Sequence, residues 1–305
     1  MNGAEQRPQI ERVDMNELAC WRVRTASAEL LIAQQGAQIL SYQRHGERPL
    51  IWLSEQAEFN RGQSVRGGVP LCWPWFGDLR RNPEAVQAMY RDSAAAPAHG
   101  LVRGLEWQLL GIDQQDGGVD LEFVYNSAEQ PLPAWPHALE LKLRIQLNDK
   151  LHLQLSNRNL GDTPVAISQA LHSYFAVSDI HQVRVDGLQD CRYLETLEDW
   201  QQRVQDGPLG FAGETDRIYL DTPAQLDIVD PLWQRRIRMH SNGSGSAVLW
   251  NPWIDKARRL SQFADDAWPG MLCIEHANVM SDILTLAPGA EHRLELSLWA
   301  ETLPG

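Results

Sequence analysis

The sequence predicts an all-β protein, a large antiparallel β-sandwich with few short helices. Apolar and polar residues alternate strictly over 139–147 and again over 151–155, with Asn148-Asp149 between the two runs. This pattern is typical of strands with one buried and one wet face, and Asn-Asp suits a turn, so a long β-hairpin is predicted. Helical periodicity is scarce, and there is no βαβ rhythm and no glycine-rich phosphate loop. Many short strands at close spacing indicate a sandwich or barrel.

The N-terminal part contains a lead-in and then a run of short strands. Residues 1–16 are polar and charged, and we expect a flexible lead-in there. Gly36 and His45-Gly46 are predicted to form turns between the segments that follow. The predicted strands are Cys20–Arg24, Glu29–Ala33, Gln38–Gln43, Leu50–Leu53 and Val119–Tyr125. No linker or repeat divides residues 17–305, so we expect a single domain there.

The second half of the chain continues this pattern. The stretch Val165–Val177 is predicted to be one strand, and Ala247–Trp250 and Leu294–Leu298 are two more. The clearest helical signal is Pro252–Leu260, because Asn251 is a favourable N-cap and proline suits the first helical position. One short helix among so many strands leaves the all-β prediction unchanged.

The composition argues against several classes of partner. The chain has 305 residues, a formal net charge of −13 and a pI near 5.1. An acidic chain without a basic block is a poor candidate for binding nucleic acid or an anionic membrane surface. An anionic ligand would therefore need a few arginines inside a pocket. The 12 tryptophans suit either sugar stacking or simple packing.

The cysteines and the N-terminus indicate a cellular location. The four cysteines are far apart and form no CxxC pair. No apolar run resembles a signal peptide or a membrane span. Reduced thiols in the cytoplasm are the simplest interpretation, and we expect a soluble cytoplasmic protein, by default a monomer.

One face of the predicted central strand carries groups that could reach a ligand. His172 and Tyr174 stand there among alanines, while Leu171 and Phe175 belong to the opposite, apolar face. Small neighbours leave volume above a sheet. A lone histidine is, however, as readily a hydrogen-bonded core residue, so this face alone leaves both interpretations open.

Two glycine-containing segments carry arginines that could bind an anion. The first, Arg66–Gly77, could display Arg66 beside an aromatic wall or could be a structural crossover loop. In the second, His99 and Arg103 flank Gly100, which would allow a close approach of the backbone to a ligand. If this segment is extended, both side chains share one face. Arginine suits phosphate, although Arg103 could instead pair with one of the many carboxylates.

Two carboxylates complete the set of candidates. Glu275 lies in the apolar run Met271–His276, where an unpaired charge is costly, so it is either paired or functional. His276 points to the opposite face and is interpreted as structural. Asp216 opens another strand and could bind sugar hydroxyls or cap a turn. No established ligand spacing occurs, so no metal site is predicted.

Six motifs occur in one order across most of the chain, and the ordered set is more specific than any member. They are Arg66-Gly-Gly-Val-Pro with Trp-Pro-Trp-Phe-Gly77, His99-Gly-Leu-Val-Arg103, Ala170-Leu-His172-Ser-Tyr-Phe175, Asp216-Arg-Ile-Tyr219, Trp250-Asn-Pro-Trp253 and Cys273-Ile-Glu275. Together they resemble the D-hexose-6-phosphate mutarotases, or glucose-6-phosphate 1-epimerases, relatives of galactose mutarotase (aldose 1-epimerase). One departure is Leu101-Val102, where the family pattern has a pair such as Phe-Ala.

The resemblance implies a fold, an activity and a set of roles. The fold would be the galactose mutarotase-like supersandwich, without a cofactor, and the activity an isomerase that exchanges the α and β anomers of glucose 6-phosphate and related aldohexose 6-phosphates. His172 would be the general acid and Glu275 the general base. Arg66 and Arg103 would lie near the phosphate, and His99 and Asp216 would contact the sugar.

The chemistry suits these residue types. Ring opening requires removal of the C1 hydroxyl proton and protonation of the ring oxygen, which a carboxylate and an imidazolium on opposite sides of the ring could perform. Desolvation would raise the pKa of Glu275 toward neutral pH, and a nearby carboxylate could hold His172 protonated.

Three alternatives stay open. The chain could be an aldose 1-epimerase for unphosphorylated sugars with the same acid and base, or a non-catalytic phosphosugar sensor or carbohydrate-binding module. A glycosidase is weaker, because no second carboxylate lies in an equally constrained motif.

Overall fold

Antiparallel strands are the main secondary structure of the computed structural model, which describes residues 7–115 and 118–304. The strands are β1 Gln9–Met15, β2 Leu18–Arg24, β3 Ala28–Ala33, β4 Ile39–Arg44, β5 Leu71–Cys72, β6 Gln108–Gln115, β7 Gly118–Asn126, β8 Leu139–Leu147, β9 Leu151–Asn159, β10 Val165–Ile167, β11 Gln169–Ala176, β12 Arg184–Asp186, β13 Arg192–Glu195, β14 Gln201–Val204, β15 Leu209–Gly210, β16 Thr215–Leu220, β17 Gln225–Asp230, β18 Arg235–Asn242, β19 Ser246–Asn251, β20 Met271–Asn278, β21 Leu284–Leu286 and β22 Glu291–Thr302.

Two large sheets form the sandwich. One has seven strands in the order β14-β13-β16-β19-β20-β11-β5, and the other has nine in the order β15-β12-β17-β18-β22-β9-β8-β7-β6. Leu171 and Ile274 of the first sheet and Leu153 and Leu296 of the second belong to one buried cluster. The predicted antiparallel β-sandwich is confirmed. Because side chains alternate along a strand, the other face of the seven-stranded sheet is left free to carry a site.

The N-terminal strands form a separate four-stranded sheet in the order β1-β2-β3-β4. The predicted strands over residues 20–43 are confirmed with bounds shifted by one or two residues. The structure differs from the expected lead-in at Gln9–Met15, which pairs with β2 along its whole length. The reason is that alternating Val13 and Met15 pack beside a small apolar cluster. Residues 1–6 of the lead-in lie outside the described residues.

The long hairpin is confirmed, with β8 and β9 paired from Leu139–Asn159 to Leu147–Leu151. The predicted strand Leu50–Leu53 is wrong. Only isolated bridges occur there, between Ile51 and Phe175 and between Leu53 and Gly67. Ile51 and Leu53 bridge to two different parts of the chain, so the segment forms no continuous ladder with a single strand.

The predicted single strand Val165–Val177 is divided in two at Ser168. The backbone N–H of Ser168 bonds to Pro74 O, and its hydroxyl accepts from Phe76 N and donates to Asn82 Oδ1. The loop after β5 thereby takes over the hydrogen bonds of this residue. As a result β10 pairs with β21, whereas β11 pairs with β20 in the seven-stranded sheet.

Helices are few and short, as predicted. They are α1 Glu84–Gln87 and α2 Trp253–Ala257, with four short 3-10 turns in the described ranges. Helix α2 is shorter than the predicted Pro252–Leu260, because residues beyond Ala257 continue with i to i−3 bonds. Asn251 Oδ1 does accept from Trp253 N at 2.9 Å. Within residues 7–115 and 118–304, no helix is long and apolar enough to cross a membrane.

Candidate active site

His172 and Glu275 face each other on the free face of the seven-stranded sheet. The antiparallel register of β11 and β20 sets these two residues directly opposite. Opposite residues on one sheet face have closely spaced side chains, and His172 Nε2 lies 3.3 Å from Glu275 Oε1. Their exposed fractions are 6% and 1%. Strand pairing alone therefore brings an imidazole and a carboxyl together at the floor of the site.

Burial shifts the pKa values of both members of this pair. Loss of water raises the pKa of Glu275 well above its ordinary value, although Arg103 opposes the change. Burial, followed by the positive charge of Arg103 and the nearby ring of His99, holds the pKa of His172 well below its ordinary value. The lowered pKa of His172 argues against the expectation that a carboxylate keeps this ring protonated. The raised pKa of Glu275 points the same way, because a carboxyl that takes up a proton loses the charge that would stabilise an imidazolium.

Two aromatic side chains hold the ring of His172. The ring of Tyr174 stacks on it with centroids 4.9 Å apart and 9° between planes. The ring of His99 contacts it edge-on at 5.5 Å.

His99 Nδ1 accepts from the backbone N–H of Gly77 at 3.3 Å, which leaves Nε2 as the protonated nitrogen of the neutral His99 ring. The pKa of His99 is held well below its ordinary value by burial and by Arg103 and Arg66.

The backbone at His99 and Gly100 has a structural role that we did not predict. Gly100 has φ of +81°, and a Cβ there would lie 2.0 Å from Trp73 O. We expected the glycine to allow a close approach of the backbone to a ligand. It instead allows a close approach to the neighbouring loop. Residues 101–104 form bends and turns, so the condition under which His99 and Arg103 would share one face of a strand is not met.

Arg66 and Arg103 lie together at one end of the site, beyond Tyr174. Arg66 Nη1 donates to Tyr174 Oη at 3.4 Å. Arg103 Nη2 donates to Cys72 Sγ at 2.8 Å, and its Nε donates to Leu71 O at 3.3 Å. Neither guanidinium forms an ion pair with a carboxylate in the described ranges 7–115 and 118–304. The alternative in which Arg103 pairs with a carboxylate is therefore not what the structure shows.

Asp216 lies near the start of β16, on the wall of the site opposite Arg66 and Arg103. Lys256 Nζ is 3.6 Å from its Oδ2 and 3.0 Å from Glu214 Oε1. Burial raises the pKa of Asp216, and the charge of Lys256 opposes that rise. Lys256 thus favours the ionised, hydrogen-bond-accepting form of this carboxylate.

These groups border one cavity of about 320 Å³, the size of a small-molecule site. Its floor is His172, Glu275 and Tyr174. Further lining residues form an apolar and aromatic wall and a polar rim, and include Phe76, Trp200, Trp250, Ile218, Met280, Arg81, Asn82 and Thr196. A neighbouring cavity of about 350 Å³ is bordered by both Arg66 and Arg103, with Ser261 and Gln262. The arrangement can hold a polar ring above an acid–base pair, with an anionic group at one end.

His276 points away from this cavity, as predicted. Its neighbours on β20, Leu272 and Ile274, belong to the core between the two sheets. Both ring nitrogens are buried without a hydrogen-bond partner in the described part of the chain. Burial lowers the pKa of His276 to about 4, so it is neutral at physiological pH.

Comparison with known proteins assigns this arrangement to a family. Residues 20–299 match the model of the family described as aldose 1-epimerase. The chain belongs to the aldose 1-epimerase family. It is 34% identical over 269 residues to the "putative glucose-6-phosphate 1-epimerase" of Salmonella typhimurium, covering 88% of this chain and 86% of that protein. It is 32% identical over 271 residues to the protein of that name from Escherichia coli K12, with the same coverage.

Solved structures agree with this membership. The crystal structure of a "putative mutarotase" from Salmonella typhimurium superposes with a TM-score of 0.86 at 30% identity, covering 96% of this chain and 94% of that one. A galactose mutarotase-like protein from Clostridium acetobutylicum shows the same fold with a TM-score of 0.74 at 17% identity, covering 97% and 99%. The predicted family, the supersandwich fold and the enzyme class, an isomerase, are confirmed.

The structure brings the predicted site residues of this aldose 1-epimerase family member to one cavity and its edge. His172, Glu275, Arg66, His99 and Asp216 line the cavity itself. Arg103 borders the neighbouring cavity. Their individual roles stay predictions.

Several lining residues were missed by the sequence analysis. Lys256 was noted only as part of the short helix, although its place three residues after Trp253 in the Trp250–Trp253 motif was a usable signal. Arg81, Asn82, Thr196 and Trp200 lie in no motif, so only the fold could place them. Of the aromatic residues in the Arg66–Gly77 loop, Trp73 and Trp75 are fully buried and Phe76 lines the cavity.

Proposed function

We propose that this protein is a hexose-6-phosphate 1-epimerase that interconverts the α and β anomers of glucose 6-phosphate and related aldohexose 6-phosphates. The observation that supports it most is the joint placement of Arg66 and Arg103, without carboxylate partners in the described ranges, beside a buried His172–Glu275 pair. The names of the Salmonella and Escherichia coli relatives agree with this substrate class.

The arginine end supports recognition of a phosphate. The chain has a net charge of −13, so an anionic ligand needs local positive charge. Neither guanidinium is neutralised by a carboxylate in the described ranges, so both charges are available to such a ligand. Arg66 borders both the main cavity and the adjoining one, and Arg103 borders the latter. Planar guanidinium groups donate two parallel hydrogen bonds to phosphate oxygens. A phosphate there would leave the sugar ring over the floor of the main cavity.

The floor supports an acid–base reaction at C1. The ring oxygen and the C1 hydroxyl are bonded to the same carbon, so the groups that serve them must themselves be neighbours. His172 Nε2 and Glu275 Oε1 are 3.3 Å apart on adjacent strands, and not on opposite sides of the ring as the sequence analysis expected. The two groups can therefore approach both oxygens from one face.

The proton balance of the proposed reaction uses this pair alone. Ring opening starts from the ion-pair form, in which the proton of Glu275 has passed to His172 Nε2 across their 3.3 Å contact. Glu275 then accepts the C1 hydroxyl proton while His172 donates its proton to the ring oxygen, and the C1–O5 bond breaks as the C1 carbonyl forms. The products are an open-chain aldehyde, neutral His172 and protonated Glu275, the same neutral form that burial favours in the resting site. After rotation about C1–C2 both transfers reverse, and the ring closes as the other anomer.

The second wall supports binding of sugar hydroxyls. Asp216 accepts hydrogen bonds when ionised, and the charge of Lys256 favours that form. The rings of Trp250 and Trp200 line the same cavity and supply flat apolar faces for the carbon atoms of a sugar.

The test is anomer exchange measured by NMR saturation transfer on glucose 6-phosphate, with free glucose and galactose in parallel. We expect exchange above the uncatalysed background on the phosphate ester, with weak exchange on free sugars. In Arg66→Gln and Arg103→Gln this preference should shrink. Equal exchange on free sugars would indicate an aldose 1-epimerase without phosphate recognition. Binding without exchange on any sugar would indicate a sensor.

We also propose the finer properties predicted from the sequence, a cytoplasmic monomer that needs no cofactor for this reaction. All four cysteines are free, which agrees with a reducing compartment. Light scattering coupled to size exclusion tests the oligomeric state, with one chain of 34.5 kDa as the expected mass.

A further inference from the structure

Cys273 is a buried thiol next to the acid–base pair, and the proposed reaction does not use it. It precedes Glu275 by two residues on β20, so both side chains lie on the same face of the sheet. The register places Cys273 opposite Tyr174 and Glu275 opposite His172. Its exposed fraction is 0%. Three different donor types, a thiol, an imidazole and a carboxyl, thereby converge on two adjacent strands.

The distances within this group suit a metal ion. One donor atom each from His172, Cys273 and Glu275 lie within 4.8 Å of one another, and all three residues are buried. In a tetrahedral zinc site with these donors, the ligand atoms are about 3.3–3.6 Å apart. His172 Nε2 and Glu275 Oε1 already have that spacing at 3.3 Å. Side-chain movements of about 1 Å would complete the geometry.

An unused polar atom points to a ligand independently of the distances. Glu275 Oε2 is buried and has no hydrogen-bond partner in the part of the chain that the structure describes. A buried carboxylate oxygen without a partner is costly, and a bound ion would remove that cost. His172 and Glu275 line the open cavity, which provides the path of entry.

We propose that His172, Cys273 and Glu275 form a site for Zn²⁺ or another thiophilic divalent cation, and that the bound ion blocks the acid–base pair. The thiolate and the carboxylate together balance the charge of the ion, while His172 binds as the neutral ring. The protons that Cys273 and Glu275 release pass to solvent, and a water molecule fills the fourth position. Balanced charge matters here, because the guanidinium of Arg103 disfavours an uncompensated cation.

The choice of metal follows from the donors. Thiolate and imidazole select Zn²⁺ and Cd²⁺ over Mg²⁺ and Ca²⁺, which prefer sites made only of oxygen. The proposed site would therefore bind only weakly the Mg²⁺ that accompanies sugar phosphates in solution. Binding does not depend on the proposed function, whereas the blocking effect does.

The first test is binding without substrate. The protein is titrated with Cd²⁺, and the near-ultraviolet charge-transfer band of a cadmium thiolate is recorded together with the bound metal per chain after dialysis. We expect one ion per chain, with the band retained in the control Cys191→Ala and lost in Cys273→Ala and Cys273→Ser. Circular dichroism checks that each variant is folded. A band that survives in Cys273→Ala, or that is lost only in Cys72→Ala, would overturn the site.

The second test measures anomer exchange at buffered free Zn²⁺, with Mg²⁺ as the control cation. In the unmodified protein Zn²⁺ should suppress exchange and a chelator should restore it. Cys273→Ala should keep its exchange activity and need at least about tenfold more Zn²⁺ for the same suppression. Equal sensitivity of the two proteins would refute the proposal. Absence of exchange in both would count against the proposed function and leave the binding result to decide the metal site.

Discussion

The rings of Tyr174 and His172 lie parallel, 4.9 Å apart, with only 9° between their planes. The two residues are neighbours on one face of β11, where alternation places every second side chain. Tyr174 also accepts a hydrogen bond from Arg66 through its hydroxyl. One buried ring therefore connects the acid–base pair with the arginine end of the cavity.

Substitutions at Tyr174 should separate these two contacts. Tyr174→Phe keeps the stacked ring and removes the hydroxyl, so KM for glucose 6-phosphate should rise by about two- to tenfold with little change in kcat. Tyr174→Ala frees the imidazole as well, so kcat should fall by at least about tenfold. Steady-state exchange kinetics on both variants decide the matter. A loss of kcat in Tyr174→Phe equal to that in Tyr174→Ala would contradict separate roles.

Removing either member of the pair should abolish most of the activity without unfolding the protein. His172→Asn and Glu275→Gln should each lower kcat by roughly 10²- to 10⁴-fold, the usual contribution of a positioned acid or base. Binding of glucose 6-phosphate should persist, because the arginine end is untouched. Saturation transfer gives the rate and calorimetry the affinity. His152, which lies on the other sheet, provides the control His152→Asn, which should retain full activity.

The pH dependence of kcat should show a broad plateau. The pair works while it holds one proton. A second proton reaches His172 only below its ordinary pKa of 6.5, because burial lowers that pKa. The last proton leaves Glu275 only well above its ordinary pKa of 4.5, because burial raises it. We therefore expect the acid limb below pH 6.5, followed at saturating substrate so that the phosphate, which titrates near pH 6, does not interfere. An acid limb above pH 6.5 would be inconsistent with a buried neutral imidazole.

His276 should make the protein sensitive to acid. Its pKa is lowered to about 4 in the folded state, so between pH 6.5 and about 4 only the unfolded chain binds the proton. Stability is then lost as the pH falls, by about 2 kcal/mol between pH 7.5 and 5. His276→Leu removes this contribution and suits the neighbouring Leu272 and Ile274. Urea unfolding at both pH values should show the variant gaining more at pH 5. An equal gain at both would refute the linkage.

Lys256 should act on the sugar through Asp216. Lys256→Met removes the charge that favours the ionised form of Asp216, so KM should rise by about three- to tenfold while kcat changes less. Lys256→Arg keeps a cation and should restore most of the affinity. Titration of Asp216 by carboxyl NMR gives a second measure, with a higher pKa expected in the methionine variant. An unchanged pKa would show that Lys256 only packs against the site.

Local patterns were sufficient for some features and insufficient for others. The hairpin of β8 and β9 followed from alternation over consecutive residues, and such patterns need no distant partner. The break at Ser168 did not, because it depends on hydrogen bonds to Pro74, Phe76 and Asn82, which the fold brings from far along the chain. For the same reason β1 was missed: its weak alternation becomes a strand only when paired with β2.

The candidate site shows the same division. Residue types and motif order pointed to His172, Glu275, Arg66 and Arg103, and the resemblance supplied their proposed roles. No spacing rule could predict three contacts between residues that are distant in the sequence. These are the contact of His172 with Glu275, the approach of Cys273 to His172, and the salt bridge of Lys256 with Asp216. Each depends on the register between two strands, or on a helix packed against a strand.

By itself the sequence determined the all-β class, the family and the chemical types of the candidate groups, because period-two alternation and ordered motifs are local properties of the chain. Only the tertiary structure decided which charges those groups carry and which atoms they meet. The pKa of His172 is lowered and that of Glu275 is raised because sheet packing excludes water from both, and burial is a property of the assembled sandwich that no single segment possesses.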